Sequence, residues 1–461
     1  MLESIDQAAF VTYLVALVVV GLLTAKRIIS SEEFIVAGRR LKLWLAFSTV
    51  AATWIGGGIT IGIAGKAYAG KAIGVWGTTI GFGTTLILVG LFFAGPLHRM
   101  RLYTLADFYS TRFGKAWLGA VSALIMFVAY VFAVTAQIVA GSKLIHVVFG
   151  WDYTLAAVVT GSIIVFYTVL GGLWAVSLTD FLQLLITFTG VSAALVIALA
   201  KAGVSNVAAE IGGLGLLDPK VFLTIDFWAL MLVLALGDVP APDLAQRIFA
   251  SKDEATAKRS ALLAGVSYYV IGVVSMLVGV SALILLPGLG DAELAYPALI
   301  KEVLPAGIAG IVLSGLMAAV MSNADSMLLA PATVLAKNLG KDVLRPGMSD
   351  STLLFLTRSL VVVLGIGAIA AAVARADIIY WLTLAFDILF ASLFVPLALG
   401  IWWRGYTWVG AAAGIFAGAA ARVLLEYALN AGIVSEWWIP SLAAPAISLL
   451  ASLLANSLGK G

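Results

Sequence analysis

The amino-acid sequence predicts an all-α polytopic membrane protein with thirteen transmembrane helices and a transporter core of two inverted five-helix repeats. Of its 461 residues, 62% are hydrophobic and 11% are charged, and the mean hydropathy is +1.10. Soluble domains carry about 25% charged residues. Apolar segments of about 20 residues, the length of a membrane-spanning helix, recur along the whole chain. Two of these segments are interrupted by Gly or Pro at corresponding positions, which favours the repeat architecture of secondary transporters.

The composition also excludes several classes of protein. There is no Cys, so the chain forms no disulfide and has no thiolate chemistry. The two histidines, His98 and His146, fall at predicted helix ends, which argues against a histidine-based metal centre. The sequence contains neither HExxH nor GxSxG, so we do not expect an enzyme. The formal net charge of +3 is too small to indicate a nucleic-acid partner.

Hydropathy divides the chain into thirteen spans that form one membrane domain, residues 1–461. We predict an extra N-terminal helix with its loop (1–42), a first five-helix repeat (43–202), a second repeat (220–402) and two C-terminal helices (403–461). The predicted spans are 8–28, 43–65, 72–97, 116–147, 154–171, 178–200, 222–246, 261–286, 304–336, 352–374, 376–402, 406–430 and 434–456.

The placement of Lys and Arg predicts the orientation, since the cytoplasmic loops of membrane proteins are enriched in these residues. If the N-terminus lies outside, the loops that carry most of the basic residues fall on a single side, which would be cytoplasmic. Thirteen spans then place the C-terminus in the cytoplasm. The side assigned to the cytoplasm includes Lys26, Arg27, Arg39, Arg40, Arg99, Arg101, Arg112, Arg247 and Lys252, and the other side includes Lys66, Lys71, Lys143, Lys201, Lys220, Lys301 and Arg375.

The stretch 44–68, which covers the second span, is apolar enough to cross a membrane, yet it has Gly56, Gly57 and Gly58 at its centre. Each Gly costs a helix about 1 kcal/mol relative to Ala. Irregular backbone at membrane depth is tolerated only inside protein or beside a polar cavity. We therefore predict a broken helix whose break forms a binding site. The alternative is close packing of the glycines against a neighbouring helix.

The seventh span contains a second interruption, LALGDVPAPDLAQR. Gly237, Pro240 and Pro242 cannot all lie in a regular helix, because each Pro removes an amide donor and clashes with the preceding turn. Asp238 and Asp243 flank this break. If two inverted repeats make up the core, both breaks fall in the first helix of a repeat, which predicts a binding site near the middle of the membrane.

The ninth span carries a cluster of polar side chains in an otherwise apolar helix: Ser322, Asn323, Asp325 and Ser326. Their oxygen atoms are hard donors, which suit Na⁺ better than a soft transition metal. Ser322, Asp325 and Ser326 share one helix face. Hydrogen bonding between helices is the alternative, and it is common for Ser and Asn in membrane bundles.

Further carboxylates lie within predicted spans. Asp180, at the start of the sixth span, is a functional candidate, because a charged side chain costs about 2.5–3.5 kcal/mol at the centre of a bilayer. A capping role at the helix N-terminus is the alternative for Asp180. Asp387, in the eleventh span, could pair with a neighbour or line the cavity. Arg422 and Glu426, at positions i and i+4, are interpreted as a structural ion pair.

Several of these motifs together resemble the sodium/solute symporter family. They are FIVAGRRL, ATWIGGGITIGIAGKAY, GGLWAVSLTDFLQL, GDVPAPDLAQRIFAS and AAVMSNADSMLLA, between about residues 30 and 400. The ATWIGGG and GD-P-QR strings are most similar to the high-affinity choline transporter branch. The resemblance implies a five-plus-five core, one helix before it and two after it, and alternating access coupled to Na⁺.

The resemblance also implies a main sodium site between the first and eighth core helices. On the matching positions, its ligands are the backbone carbonyls of Ala51, Trp54 and Ala319 and the hydroxyl of Ser322. Asn323 stands at the last ligand position, which is usually Ser or Thr, and its amide oxygen could still bind the ion.

Some members of the family have a second sodium site formed by an Asp and nearby Ser residues. The matching positions here are Asp180, Ser322, Asp325 and Ser326, with Asp325 in place of a Ser. Because Asp325 adds a carboxylate, a proton site is an alternative interpretation of this group of residues.

For the substrate, the choline branch implies aromatic faces around a quaternary ammonium, which is cation–π chemistry. Trp54 is present, but Ala241 stands where a second Trp is expected and Ala133 matches a third. This reduced cage argues against choline itself. We predict that Trp54 and Gly56, Gly57 and Gly58 bind substrate, together with Ala241 and Asp243 at the second break, where the Asp243 carboxylate could attract a cationic or amino group.

The expected function is sodium-coupled import of a small polar organic solute, either an organic cation or an amino-acid-like molecule. Proton-coupled or sodium-independent transport is the alternative, motivated by Asn323 and by Asp180, Asp325 and Asp387. A channel is less favoured, since nothing resembles a carbonyl selectivity filter. The expected partners are the solute, Na⁺ and the lipid bilayer, with no cofactor beyond the coupling ion and no nucleic acid.

Overall fold

The computed structural model describes residues 3–25, 36–170 and 173–458, and in these ranges the chain folds into helices. The one β-type contact found in the described ranges is an isolated parallel bridge between Leu41 and Ser251. Part of the basic loop that we used to predict the orientation, residues 26–35, lies outside the described residues.

The helices are numbered in chain order. Those of the N-terminal half are α1 (Ser4–Ala25), α2 (Leu43–Trp54), α3 (Gly58–Tyr68), α4 (Ala72–Arg99), α5 (Ala106–Phe113), α6 (Ala116–Phe149), α7 (Tyr153–Leu170), α8 (Leu173–Ala202) and α9 (Val204–Gly213). Those of the C-terminal half are α10 (Ile225–Gly237), α11 (Pro242–Ala250), α12 (Glu254–Leu285), α13 (Ala295–Val303), α14 (Ile308–Leu344), α15 (Asp350–Ala374), α16 (Ile378–Trp402), α17 (Trp408–Asn430) and α18 (Trp438–Leu458).

Among the described residues, nine single helices are long and apolar enough to cross a membrane, and two bent helix pairs raise the number to eleven. The prediction of a polytopic all-α membrane protein is thereby confirmed. Helices α1 and α7 are not part of that count, so the number thirteen stays a prediction. Most of the span predicted at 304–336 lies in α14, and the short helix α13 precedes that span.

The first bent pair is α2 and α3, whose axes differ by 51° across the glycine break. Helix α2 ends at Trp54, and the next residue, Ile55, has the non-helical angles φ −85° and ψ 70° while its N–H still donates to the carbonyl of Ala51. Beyond the break the chain re-enters a helix through a π-type turn, with the N–H of Gly62 bonded to the carbonyl of Gly57 over 2.9 Å. The glycines thus interrupt the helical hydrogen bonds at the predicted position.

The second bent pair is α10 and α11, with a bend of 43°. Helix α10 ends at Gly237, and the extended residue Ala241 (φ −72°, ψ 123°) precedes Pro242. A residue before proline is pushed out of the helical region, and proline is well suited to the first position of the next helix. The PAP sequence therefore ends one helix and starts another.

Helix α14 lies at the centre of the bundle, and 89% of its apolar window is buried. It packs against α2, α6, α8 and α11. Glycines allow some of these contacts: a Cβ on Gly315 would lie 2.8 Å from a methyl carbon of Ile186 in α8. This central position brings the polar cluster of α14 to the two breaks.

Hydrogen bonds join the start of α2 to the end of α11, the ends of these helices that lie far from the breaks. The N–H of Leu41 donates to the carbonyl of Ala250 over 3.1 Å, and the N–H of Lys252 donates to the carbonyl of Leu41 over 3.0 Å. The Arg39 guanidinium donates to the carbonyl of Leu102 over 3.0 Å, in the loop after α4. These contacts connect the two broken helices away from their breaks.

Ion pairs lie at the opposite end of the broken helix, beside α3. Lys66 Nζ lies 3.5 Å from Asp377 Oδ1, just before α16. Lys143, near the end of α6, pairs with Asp291 and lies 3.3 Å from Glu293 Oε2. In both sets, the lysine lies in the segment predicted as the first repeat (43–202) and its carboxylate partners lie in the segment predicted as the second repeat (220–402).

Candidate functional site

A small cavity, with free space of about 20 Å³, lies where the two helix breaks meet α14. Its wall combines backbone and side chains of the first break, a carboxylate from the second break, two side-chain amides, and aromatic and aliphatic groups. The residues that line it are Thr53, Trp54, Gly58, Ile59, Phe82, Gln137, Asp238, Tyr268, Asn323, Met327, Leu382 and Phe386. A mostly apolar lining with a few polar groups is typical of ligand sites, and the free space itself has room for about one water molecule.

A hydrogen bond between side chains joins the two breaks. The indole Nε1 of Trp54 donates to Oδ2 of Asp238 over 2.9 Å, and both residues are buried. The second carboxylate oxygen of Asp238 is also buried and has no hydrogen-bond partner. Asp238 was noted in the sequence as flanking the break, but its role as the acceptor for Trp54 was missed.

The three glycines of the first break make different contacts. Gly56 lies against Asn323, where a Cβ would be 2.2 Å from Nδ2, and a Cβ on Gly57 would be 2.2 Å from that of Ala140. The N–H of Gly57 donates to Oε1 of Gln137 over 2.9 Å. Gly58 borders the cavity. A Cβ on Gly58 would lie 2.6 Å from a methyl carbon of Leu382, so close packing applies to all three glycines, and Gly58 is also placed where a solute could contact it.

The residues predicted for the main sodium site come together at the end of α2 and the middle of α14. The Ala51 carbonyl accepts the N–H of Ile55 over 2.8 Å. Ala319, Ser322 and Asn323 lie on one face of α14 by their i, i+3, i+4 spacing, and all are buried. The amide oxygen of Asn323 is buried without a hydrogen-bond partner, so it can accept a cation.

The groups predicted for a second sodium or proton site are divided among several neighbours. The Asp180 carboxylate accepts hydrogen bonds of 2.5 Å from Ser322 and from Thr49. Asp325 instead accepts from Thr168 of α7 over 2.6 Å. The Ser326 hydroxyl lies 3.3 Å from that of Thr53.

The guanidinium of Arg247 is a functional candidate that sequence reasoning missed. The sequence analysis counts Arg247 among the basic residues of the cytoplasmic loops, and its placement in a loop is wrong: the residue lies in α11 and is 0% exposed. It donates to Ser326, to the backbone carbonyl of Asp243 over 3.2 Å and to Oε1 of Gln246. A buried guanidinium needs compensating negative charge, which the neighbouring carboxylates supply. The sequence signal that could have identified Arg247 is its place in the GDVPAPDLAQRIFAS motif, directly after Gln246.

Asp243 and Ala241 are buried behind the cavity rather than along its wall. The Asp243 carboxylate accepts from the Tyr130 hydroxyl over 2.5 Å and from the N–H of Leu244 over 2.9 Å, at the start of α11. Ala241 is 0% exposed. In this conformation Asp238, and not Asp243, presents a carboxylate to the cavity.

Aromatic rings form one side of the cavity, although the two Trp positions implied by the family resemblance hold Ala. Phe82 contacts Tyr268 and Phe386 edge-to-face, with ring centroids 5.9 and 5.2 Å apart. These rings come from α4, α12 and α16, and no local motif marks them. Phe132, the neighbour of Ala133, stacks on Trp381 and does not line the cavity.

Asp387 has partners in the C-terminal helices. Its Oδ2 accepts from Arg422 Nε over 2.8 Å and from the Ser441 hydroxyl over 2.7 Å. Arg422 also lies 2.7 Å from Glu426 Oε2, as predicted for the i, i+4 pair. Asp387 is therefore paired. It does not line the cavity between the breaks, but it lines a second cavity together with Lys66 and Asp377.

The sequence of this chain is similar to those of known membrane transporters. Residues 34–418 match the sodium:solute symporter family. The chain is 27% identical over 384 residues to high-affinity choline transporter 1 of Drosophila melanogaster, covering 80% of this chain and spanning 62% of that protein's length. It is 28% identical over 436 residues to the osmoregulated proline transporter OpuE of Bacillus subtilis (strain 168), covering 89% of this chain and 87% of OpuE.

Among solved structures, a Na⁺-coupled sialic acid symporter in a substrate-bound, outward-open state has a TM-score of 0.82 with this chain. The superposition covers 99% of this chain and 98% of that one at 19% sequence identity, so the likeness concerns the fold. The family match covers most of the sequence, including both helix breaks and the polar part of α14. The chain belongs to the sodium:solute symporter family.

Proposed function

We propose that the protein is a sodium-coupled secondary active symporter that imports a small polar organic solute by alternating access. The observation that carries this proposal is the amide oxygen of Asn323, which is buried without a partner beside the first break. Buried polar atoms are nearly always hydrogen-bonded, so an orphan oxygen in a cavity points to a missing ligand. A hard oxygen of this kind suits Na⁺.

The proposed sodium ligands are the carbonyls of Ala51, Trp54 and Ala319, the hydroxyl of Ser322 and the amide oxygen of Asn323. The C-terminal end of α2 lies at this point, and the negative end of a helix dipole favours a cation. Asp180, held by Ser322, adds a carboxylate behind the ligand shell.

The solute is proposed to bind in the cavity beside Trp54 and Gly58. An organic cation or an amino-acid-like molecule fits the aromatic wall and the carboxylate. The names of the relatives, which include choline and proline transporters, agree with this range of substrates.

Alternating access would be achieved by opening one end of the cavity at a time. At one end, the Leu41–Ala250 and Arg39–Leu102 hydrogen bonds hold α2 against α11 and the loop after α4. At the other end, the Lys66–Asp377 and Lys143–Glu293 pairs hold α3 and α6 against their neighbours. We propose that these contacts are gates, and that the orientation is N-terminus outside and C-terminus in the cytoplasm.

The full architecture that we propose is thirteen transmembrane helices, with residues 43–202 and 220–402 as inverted repeats. The bends of 51° and 43° in the first helix of each proposed repeat support it. The extra N-terminal helix at 1–42 and the two helices at 403–461 would flank that core.

The sodium gradient supplies enough energy for accumulation. A tenfold gradient is worth about 1.4 kcal/mol per ion. A membrane potential of 100 mV adds about 2.3 kcal/mol per charge. One Na⁺ per solute therefore supports accumulation of several hundredfold.

A proton-coupled mechanism is the second candidate, and it is favoured by Asp325, a buried carboxylate on α14. A pH gradient without Na⁺ would then drive uptake.

The experiment that tests the proposal is a thermal-shift screen of polar solutes on the purified chain in NaCl and in KCl at equal ionic strength. A ligand that binds the folded state raises the unfolding temperature. We expect NaCl to stabilise the protein more than KCl, and some solutes to stabilise it only in NaCl. Equal unfolding temperatures in both salts for every solute would contradict sodium coupling.

A further inference from the structure

We propose that Asp238 is the counter-ion for a small organic cation that carries N–H groups, a protonated primary or secondary amine, in the cavity between the two breaks. This inference rests on the symport function proposed above and names the substrate class of the same site. It replaces Asp243, which the sequence had suggested for this role, by a residue whose carboxylate reaches the cavity.

Only one of the two oxygen atoms of the Asp238 carboxylate accepts a hydrogen bond. Its Oδ2 accepts the Trp54 indole N–H over 2.9 Å, whereas its Oδ1 has no hydrogen-bond partner. The residue is 1% exposed and lines the cavity. A buried carboxylate oxygen without a donor is costly, so the site needs a donor or a cation beside Oδ1.

The backbone explains why Asp238 points there. Gly237, the residue before it, lies against the carbonyl oxygen of Phe386, where a Cβ would be 2.1 Å away. This close approach seats the end of α10 on α16 and places the next side chain at the cavity. Asp238 also caps the C-terminus of α10, whose dipole adds negative potential and favours a cation.

The charges around the breaks leave room for a cation. In the described part of the chain, the buried carboxylates of Asp180, Asp243 and Asp325 interact with the guanidinium of Arg247, and Asp238 is a fourth buried carboxylate that does not belong to this group. Arg247 donates to Ser326, to Gln246 and to the backbone of Asp243, and none of its hydrogen bonds goes to Asp238. The guanidinium of Arg247 therefore bonds to other groups, and none of the described hydrogen bonds or ion pairs joins Asp238 to a cationic side chain.

The rest of the wall suits a small ammonium group. The faces and edges of Trp54, Phe82, Tyr268 and Phe386 surround the cavity, and aromatic faces attract cations. The free space of about 20 Å³ holds little more than a water molecule, so the cavity must widen to admit any solute, and this favours a small one. A quaternary ammonium has no N–H to give to Oδ1, whereas a primary or secondary ammonium donates while it neutralises the charge.

Two matched sets of probes test the proposal by thermal unfolding of the full chain in NaCl. One set is ethanolamine, choline and ethylene glycol, and the other is pyrrolidine, N,N-dimethylpyrrolidinium and tetrahydrofuran. Within each set the neutral probe keeps the size of the amine and removes its charge, whereas the quaternary probe keeps the charge, removes the N–H groups and adds methyl groups. For at least one set, we expect the amine to reach half of its maximal shift at a tenfold lower concentration than the other two members.

The variant Asp238→Asn, which keeps an acceptor for Trp54 but removes the charge, is expected to lose this preference. Asp226→Asn is the matched control, because Asp226 lies on the same helix and its carboxylate is bonded to the exposed Trp437. Stabilisation by NaCl over KCl, measured without amine, shows that Asp238→Asn remains folded and that the sodium site is intact.

Three results would overturn the proposal: the amine preference survives in Asp238→Asn, the quaternary or neutral probe is equal to or better than the amine in both sets, or no probe stabilises the wild-type chain. The last two are read from the wild-type protein and do not depend on the variant. If the advantage of NaCl over KCl remains in any of these cases, the symport proposal stands and only the amine assignment fails.

Discussion

The hydroxyl of Ser322 donates a 2.5 Å hydrogen bond to Asp180, across the interface between α14 and α8. The other oxygen of that carboxylate accepts from Thr49 of α2. A proposed sodium ligand is therefore oriented by a carboxylate that also contacts the broken helix. Supporting groups of this kind tune the affinity of a metal site.

Replacing Ser322 by Ala is expected to weaken sodium binding at least tenfold, because it removes a ligand and leaves one Asp180 oxygen without its donor. The concentration of NaCl that gives half of the maximal thermal shift measures the effect. Ser314→Ala is the matched control: Ser314 is buried in the same helix and bonds only the carbonyl of Gly310 in the hydrogen bonds described for it. Equal sodium dependence of the two variants would remove Ser322 from the site.

Replacing Gly237 by Ala is expected to lower the unfolding temperature and the uptake rate together. The new Cβ would lie 2.1 Å from the Phe386 carbonyl oxygen, so α10 and α16 would have to separate. Gly212→Ala serves as the control, since nothing lies within 4 Å of its Cβ position, and there the lost flexibility of the unfolded chain should stabilise by about 0.4–1 kcal/mol. A fully active and stable Gly237→Ala protein would argue against this close contact.

Replacing Arg422 by Met is expected to destabilise the protein strongly. It leaves Asp387 buried with Ser441 as its remaining described partner, and breaking a buried ion pair costs about 3–5 kcal/mol. Glu426→Gln should cost at most about 1 kcal/mol, since the Glu426 side chain is 34% exposed.

The double variant Arg422→Met with Asp387→Asn provides the internal check. It should unfold at a higher temperature than Arg422→Met alone, because the uncompensated charge is gone. Additive losses in the double variant would show that the two side chains are not coupled.

The pH dependence of stability is expected to include a contribution from Glu293, which lies in the short helix Ala292–Leu294 outside the spanning helices. Burial raises the pKa of Glu293 to about 7 from its ordinary value of 4.5, with Lys143 acting in the opposite direction and Asp377 adding to the rise. The folded state therefore binds this proton more tightly than the unfolded chain. Its stabilising effect is full below about pH 4.5 and is lost as the pH rises through 7.

Glu293→Gln should flatten the fall in unfolding temperature between these pH values, while the amide oxygen can still accept the N–H of Ile378. Glu302→Gln, on the exposed end of α13, controls for the loss of a carboxyl group. If Glu293→Gln and Glu302→Gln show the same pH profile as the wild type, Glu293 does not carry the effect.

The membrane class, the helices and both breaks could be predicted from the sequence because they depend on local chemistry. Apolar runs of the right length form helices in lipid, and Gly56 to Gly58 and Pro240 to Pro242 interrupt them wherever the helices lie. The family was also recognisable, because the motifs around Trp54 and Ser322 are contiguous strings. The Arg422–Glu426 pair followed from helix spacing alone.

The tertiary structure decided which of the candidate side chains meet. Asp238 and Asp243 both flank the second break, and only the packing of α10 on α16 sends Asp238 to the cavity while Tyr130 engages Asp243. Arg247 reads as a loop residue in the sequence and is a buried cation in the fold. The rings of Phe82, Tyr268 and Phe386 come from three distant helices, so their convergence is a property of helix packing, which no local pattern encodes.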